Sequence, residues 1–449
     1  MDANNVKDFL DKVITKAIDS GFEEAESIYK YGAGSAVSIF EGEVSNYENN
    51  SEQHIGFMGK LDKQMGSSKT SIVDLSSVDY LVNSALDNHK VKNDEDEDFF
   101  YCDKENSDLY FNELSDASYK NGFERFRDTG LELEKAILNC DETIKAVDYL
   151  QVGYSKTIRI LKNSLGLTEH TEGDLLTIGA EARCEKDGVV KTGYHIWYGR
   201  DIDEFKIDEF VSELRQRTCS KLGASSISSG IYKVILSQDA FVSLFSSYAS
   251  SLSAFSIQKG MSLLKDKVNE IVASPLLTIR EIPMYDKALL KFPFDNSGVL
   301  TYDKDIFKDG KFVQPLYTLK TAHKDNVKPT GNDFGGAEYT NLVLTPGDKN
   351  LAELAKEVGE GLYITDLNGL HAGINAVSGD FSLLCEGFLI KDGKIDHPVE
   401  QITVAGNYLD LLKNICAIGS DVKNISDGEG EFFCPSVVIK EMNIAGEAD

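Results

Sequence analysis

The stretch FLIKDGKIDHPVEQITVAG, residues 388–406, sets alternating side chains on either side of Asp392-Gly393. Asp-Gly supplies the positive φ angles that a tight hairpin turn needs, so the stretch reads as two antiparallel strands. The same pattern surrounds Asp187-Gly188 in EKDGVV and Asp309-Gly310 in FKDGKF. Two of these three turns fall in the last third of the chain, which predicts a hairpin-rich, antiparallel C-terminal domain. Helical spacing at 237–253 and 350–359 interrupts the strands, and no βαβ rhythm is present. The fold class is therefore α+β.

Working outward, residues 5–20 place Val6, Phe9, Leu10, Val13, Ile14 and Ala17 at helical spacing, and Gly21 ends the run. Short alternating stretches follow, ESIYKYG, SAVSIFEGEVSNYE, HIGFMGKLDKQMGSS and KTSIVD, and they predict an antiparallel meander. A second helix is expected over 76–90, capped by Ser76. Residues 91–108 are polar and acidic around NDEDED; the alternation and central Gly of a calcium loop are missing, so this is a solvated linker. Residues 115–146 predict one long helix or two broken ones, then strands to residue 200 and a helix over 203–222. SKLGASSISSG, 220–230, is a junction of small residues. These divisions give an N-terminal helix–sheet–helix domain at 1–92, a middle α+β domain at 93–224 and a sheet-rich domain at 225–449.

Of the 449 residues, 41% are apolar and 27% charged, the balance of a globular protein. No apolar run reaches the length of a membrane helix, and the N-terminus lacks the apolar core of a signal peptide, so the cytoplasm is expected and a membrane is not. The net charge of −28 repels phosphate backbones, which argues against direct nucleic-acid binding. Seven scattered cysteines form no C-x-x-C pair and read as reduced thiols.

Few residues form a pattern that carries chemistry. Ser246, Ser247, Ser250, Ser251 and Ser253 lie in a helical pattern, where small polar residues more often permit packing than act as nucleophiles. MGSSKTS, 65–71, lacks the glycine spacing of a phosphate loop. PTGNDFGGAEYT, 329–340, is Gly-rich without the Lys-Ser/Thr that holds phosphate, and reads as a loop whose glycines let a backbone approach something closely. None of the seven histidines pairs at a spacing that a helix could offer to zinc. His371, in GLHAGINAVSGDFS, is the histidine best placed to face a site, although a hydrogen-bonded loop histidine is the commoner outcome.

The C-terminal third carries a more specific order: S-G-D-F-S at 378–382, E-G-F-L-I-x-x-G-K at 386–394, P-V, I-T-x-A-G-N at 402–407, I-G-x-D at 418–421 and a closing I-A-G at 444–446. With KGMSLLKDKVNEIVASPLLTI at 259–279 and AVSIFEGEVSNYE at 36–48, it resembles the TldD/PmbA family, once described as modulators of DNA gyrase, over essentially the whole chain. The resemblance implies a two-subunit peptidase. Its TldD-type subunits carry His-Glu-x-x-x-His on a helix, two histidines for zinc and a glutamate as general base for the bound water. The matching stretch here is Phe245-Ser246-Ser247-Tyr248-Ala249-Ser250, with Phe245 and Ser250 at the histidine positions and Ser246 at the glutamate. A further cysteine ligand in a Gly-rich loop has no counterpart, because Asp421 reaches CPSVVI through the short NISDGEGEFF.

The resemblance therefore implies a TldE/PmbA-like, non-catalytic subunit that needs no metal and completes a zinc-bearing TldD-like partner acting on unfolded peptides. Gly335, Gly336, His371 and Asp380 are the expected peptide contacts, with a sheet edge of the C-terminal domain to pair with an extended chain. Two other readings stay open: a homodimeric peptide- or protein-binding module without peptidase activity, and a hydrolase with an unrecognised metal-free site built on Ser or His371.

Overall fold

The computed structural model describes residues 3–90, 97–115, 122–426 and 430–447. Most of the acidic NDEDED run, the 116–121 part of the expected helix and residues 427–429 of the NISDGEGEFF connection lie outside the described residues. The chain forms two compact units, Met1–Leu222 and Gly223–Asp449.

In the first unit, α1 (Ala3–Asp19) leads into the strands β1 (Glu24–Phe40), β2 (Glu43–Leu61) and β3 (Gln64–Thr70), then α2 (Val78–His89). β4 (Asp108–Glu113), α3 (Phe123–Asn139), β5 (Ile144–Asn163), β6 (Thr168–Lys186), β7 (Val189–Gly199) and α4 (Ile207–Cys219) complete it. The strands form one seven-stranded sheet in the order β3-β2-β1-β5-β6-β4, with β7 also on β6. Because β1 bonds to β2 on one side and to β5 on the other, from Glu26↔Asn163 to Ser38↔Gln151, the expected division near residue 92 meets a continuous sheet. Two differences from the sequence reading lie here. DLYFNE pairs in parallel with β6 as β4, and the expected helix over 115–146 is described only as α3. The cap before α2 is Asp74, which accepts from the Ser76 amide and starts a 3-10 turn, so Ser76 itself caps nothing.

Side chains alternate across a strand, so one face of β1 carries two helix pairs. Ala25 and Tyr29 pack with Val6 and Leu10 of α1 and Leu81 of α2. Val37 and Ile39 pack with Phe126 and Leu133 of α3 and Leu214 of α4. Gly130 allows the second contact, since a Cβ there would lie 2.7 Å from Ile39.

The second unit opens with β8 (Gly230–Leu236), α5 (Gln238–Ser247) and α6 (Ala254–Gln258). β9 (Ile279–Glu281), β10 (Lys304–Lys308), β11 (Lys311–Phe312), α7 (Leu319–Asp325), β12 (Leu342–Leu344) and α8 (Leu351–Val358) follow. Then come β13 (Gly361–Asn368), α9 (Leu370–Gly373), β14 (Asp380–Lys391), β15 (Lys394–Asn407), α10 (Tyr408–Lys413), β16 (Ile415–Ile418), β17 (Lys423–Ser426), β18 (Glu431–Cys434) and β19 (Val437–Ala445). One sheet runs β15-β14-β13-β8-β19-β16, and a further β15–β19 pairing closes its first five strands into a barrel. The other runs β11-β10-β9-β12-β18-β17. The closing pair covers only Thr403–Ala405 of β15, so among the described residues the candidate edges for an extended peptide are the rest of β15, β11, β17 and the appended β16.

The main core joins Val234, Leu236, Leu362, Ile364, Leu383 and Val404 of the barrel to Ile279, Leu342 and Phe432 of the second sheet. The alternate residues Ile235 and Val438 face the other way, against Leu354 and Ala355 of α8. All three Asp-Gly turns are present with both residues at positive φ: 52° and 79° at Asp187-Gly188, 48° and 77° at Asp309-Gly310, 50° and 73° at Asp392-Gly393. Their strands pair as β6–β7, β10–β11 and β14–β15. The α+β class and the hairpin-rich C-terminal region stand. No described helix is long and apolar enough to cross a membrane.

Candidate functional site

The residues that the resemblance sets against a zinc motif lie on and just beyond α5. Ser237 caps this helix by accepting from the Ala240 amide at 3.1 Å. Gln238 then donates through Nε2 to the Asp421 carbonyl at 2.5 Å and its carboxylate at 2.9 Å. Asp421 also accepts from the amide and hydroxyl of Ser436, at 3.1 and 2.5 Å, so the I-G-x-D step anchors the start of α5 to the approach of β19.

Phe245 is 2% exposed. Its ring meets Phe432 edge-on at 5.1 Å, Tyr339 at 6.1 Å and Phe241 at 6.4 Å. The expected helix over 237–253 breaks three residues after Phe245. Ser247 turns its hydroxyl back to the Ser243 carbonyl at 2.8 Å. Tyr248 leaves the helical region at φ −107° and ψ 6°, and Ala249–Leu252 is a 3-10 turn. Ser250 consequently sits outside α5 and is exposed. One would-be histidine position points into an aromatic core while the other faces solvent, so the two do not converge on a common centre. A phenyl ring donates nothing to zinc. Among the described residues no group of three or more His, Cys, Asp or Glu is placed to hold a metal ion. The residues present do not fit zinc.

Two loops close on α5 through tyrosines. Ser246 Oγ and the Tyr339 hydroxyl lie 3.0 Å apart, which ties α5 to the Gly-rich loop at 329–340. Tyr248, buried and stacked on Tyr408 at 4.2 Å, donates its hydroxyl to the carbonyls of Gly379 and Asp380, both at 3.1 Å. Burial pushes the Tyr248 hydroxyl up to about 12, with Asp380 adding, so it stays a neutral donor. Asp380 accepts from Asn407 Nδ2 at 3.0 Å and Ser378 Oγ at 2.8 Å. These bonds hold its carboxyl below the ordinary range. Asn407 at the same time caps α10 by accepting from Leu409 N at 3.1 Å. The S-G-D-F and A-G-N motifs are thus two halves of one latch at the mouth of the β14–β15 hairpin.

The structure brings Ser246 beside the Gly-rich loop and Tyr248 beside Asp380. His371, on α9, is exposed. Gly335 takes φ +129°, yet a Cβ there or at Gly336 would meet only the Glu338 carboxylate, at 3.9 and 3.5 Å. The close approach expected of this loop occurs instead at Gly331, where a Cβ would lie 2.8 Å from the Leu300 carbonyl oxygen.

Sequence reasoning missed the polar base of the Gly-rich loop. Glu281, fully buried on β9, accepts from Asn332 Nδ2 at 2.8 Å and from the amide and hydroxyl of Thr340 at 2.8 and 2.7 Å. Its other oxygen pairs with Lys304 at 2.8 Å. Beside it, Asp295 accepts from the amides of Ser297, Val299 and Asp333 at 2.9, 3.0 and 3.0 Å. Burial, with Asp333 adding, outweighs those amides and pushes the Asp295 carboxyl up to about 7. The thiols offer no substitute ligand: Cys434 is buried and donates to the Pro435 carbonyl at 3.2 Å, and Cys416 is exposed on β16.

Residues 229–446 match the family described as the PmbA/TldA metallopeptidase C-terminal domain. The metalloprotease PmbA of Escherichia coli O157:H7 is 28% identical over 448 residues, 97% of each chain. A metalloprotease PmbA homolog of Haemophilus influenzae is 26% identical over 92% of this chain and 90% of its own. Among solved structures, a proposed modulator of a DNA gyrase from Thermotoga maritima is 28% identical, with a TM-score of 0.87 over 98% of this chain and all of that one. TldE from Thermococcus kodakarensis shares the fold, with a TM-score of 0.85 at 20% identity and coverage of 98% and 100%. The fold is therefore shared over nearly the full length with these two solved structures, and the sequence is similar over nearly the full length to proteins named as metalloproteases. The chain belongs to the PmbA/TldD family.

Proposed function

We propose that this chain is the non-catalytic, TldE/PmbA-like subunit of a cytoplasmic TldD/TldE-type zinc peptidase that degrades unfolded peptides. The observation that carries this reading is Phe245, packed among Phe241, Tyr339 and Phe432 where a catalytic subunit would direct a zinc ligand. Ending α5 at Ser247 supports it further, because a metal motif spanning 245–250 needs a helix that continues. The zinc belongs to the TldD-like partner. This chain contributes the enclosing scaffold, with Gly335, Gly336, His371 and Asp380 as the contacts for the peptide.

The experiment is to purify the chain alone and together with a TldD-type subunit bearing His-Glu-x-x-x-His, then follow cleavage of an unstructured peptide. Cleavage should require both chains and should stop on zinc chelation. Zinc-dependent cleavage by this chain alone contradicts the reading. A stable chain that binds peptide but never joins the partner favours the homodimeric binding module instead.

A further inference from the structure

Cys184 lies near the end of β6 and Cys219 ends α4, and the proposed peptidase role uses neither. The Cys184 side chain is fully buried and donates its S–H to the Thr218 carbonyl at 3.4 Å. Thr218 adjoins Cys219, so this bond sets the Cys184 sulfur against the backbone that leads directly into Cys219. Cys219 is half-buried and accepts from Thr143 Oγ1 at 3.6 Å. The end of α4 is pressed onto the sheet because Gly193 on β7 lacks a side chain: a Cβ there would fall 2.8 Å from Thr218 Cα. Burial, with Cys219 adding, pushes Cys184 up to about 11, so it rests as a neutral thiol and the more accessible Cys219 is the point of entry for a reagent. Cys140 is a third thiol in the field of Cys219 and is the natural competitor.

We propose that Cys184 and Cys219 are an oxidation site, which a low-molecular-weight disulfide converts into an intrachain bond fastening α4 to β6. The Cys219 thiolate attacks the small disulfide, forms a mixed disulfide and releases one thiol. Cys184 then attacks the Cys219 sulfur and expels the second. Two protein thiols are oxidised, one small disulfide is reduced to two thiols, and the two cysteine protons end on those leaving groups.

The test is to incubate the full chain with oxidised glutathione, alkylate the remaining thiols, and map the digest by mass spectrometry. The expected result is a loss of two alkylatable thiols, a peptide joining Cys184 to Cys219, and a higher unfolding temperature that reduction reverses. Cys140→Ser should still form the link. Cys184→Ser should instead retain glutathione on Cys219. A native chain that keeps all its thiols, a lasting glutathione adduct on the unaltered chain, or a link from Cys140 to Cys219 would each overturn the proposal.

Discussion

Replacing Phe245 with Ala asks whether position 245 is a packed core or a space that could open to a ligand. Removing a buried Phe side chain forfeits its transfer free energy and leaves a cavity that the surroundings fill only in part, together about 3–5 kcal/mol. Here the ring is 2% exposed and touches three aromatic neighbours, with centroids between 5.1 and 6.4 Å. Pairs at such separations contribute about 0.5–1.5 kcal/mol each beyond area burial. A loss of about 4 kcal/mol, inside that range, is therefore expected. With a urea dependence of about 3 kcal/mol per molar, the midpoint of the second unit should fall by about 1 M. Urea titration followed by far-UV circular dichroism measures this. A loss under about 1 kcal/mol would refute the reasoning, because it would mean that the ring is not packed and that the position is free to serve a ligand.

Three further outcomes follow from the same region. The Asp295 carboxyl stands at about 7 in the folded chain against 3.8 for the ordinary group, so the folded state alone holds this proton between those values. Its stabilising contribution, at most about 4 kcal/mol, is complete below pH 3.8 and is lost as pH rises to about 7; Asp295→Asn should flatten that part of a stability–pH curve. Glu281→Gln strands the buried Lys304 ammonium and should cost about 3–5 kcal/mol by chemical denaturation, with Lys304→Met added to it recovering part of the loss. Tyr248→Phe removes the donor to Gly379 and Asp380, should cost about 1–2 kcal/mol, and should speed hydrogen exchange at the Tyr408 amide, which bonds the same Gly379 carbonyl.

The hairpins were legible because Asp-Gly is a local instruction: both residues tolerate positive φ, and all three predicted turns formed. The first helix was legible for the same local reason, since Val6, Phe9, Leu10, Val13, Ile14 and Ala17 are the residues it buries. The continuous sheet was not, because β1 and β5 meet across more than a hundred residues and nothing in either strand names its partner. DLYFNE escaped as a strand because its parallel pairing with β6 is likewise non-local.

At the site, Phe241, Leu244, Phe245, Tyr248 and Leu252 are all buried at helical spacing, so the sequence pattern runs straight through the break. At the break Tyr248 reaches the Gly379 carbonyl from far along the chain, a contact that no local pattern announces. The absence of histidine and glutamate at 245, 246 and 250 was visible by inspection. What their replacements do instead was visible only in three dimensions.

The central claim, that the chain supplies scaffold and its partner supplies zinc chemistry, is tested most directly by metal analysis across a copurified pair. The expected result is one zinc per heterodimer, retained by the TldD-type subunit after separation, and none in this chain. Stoichiometric zinc in this chain alone, released on loss of peptidase activity, would contradict it.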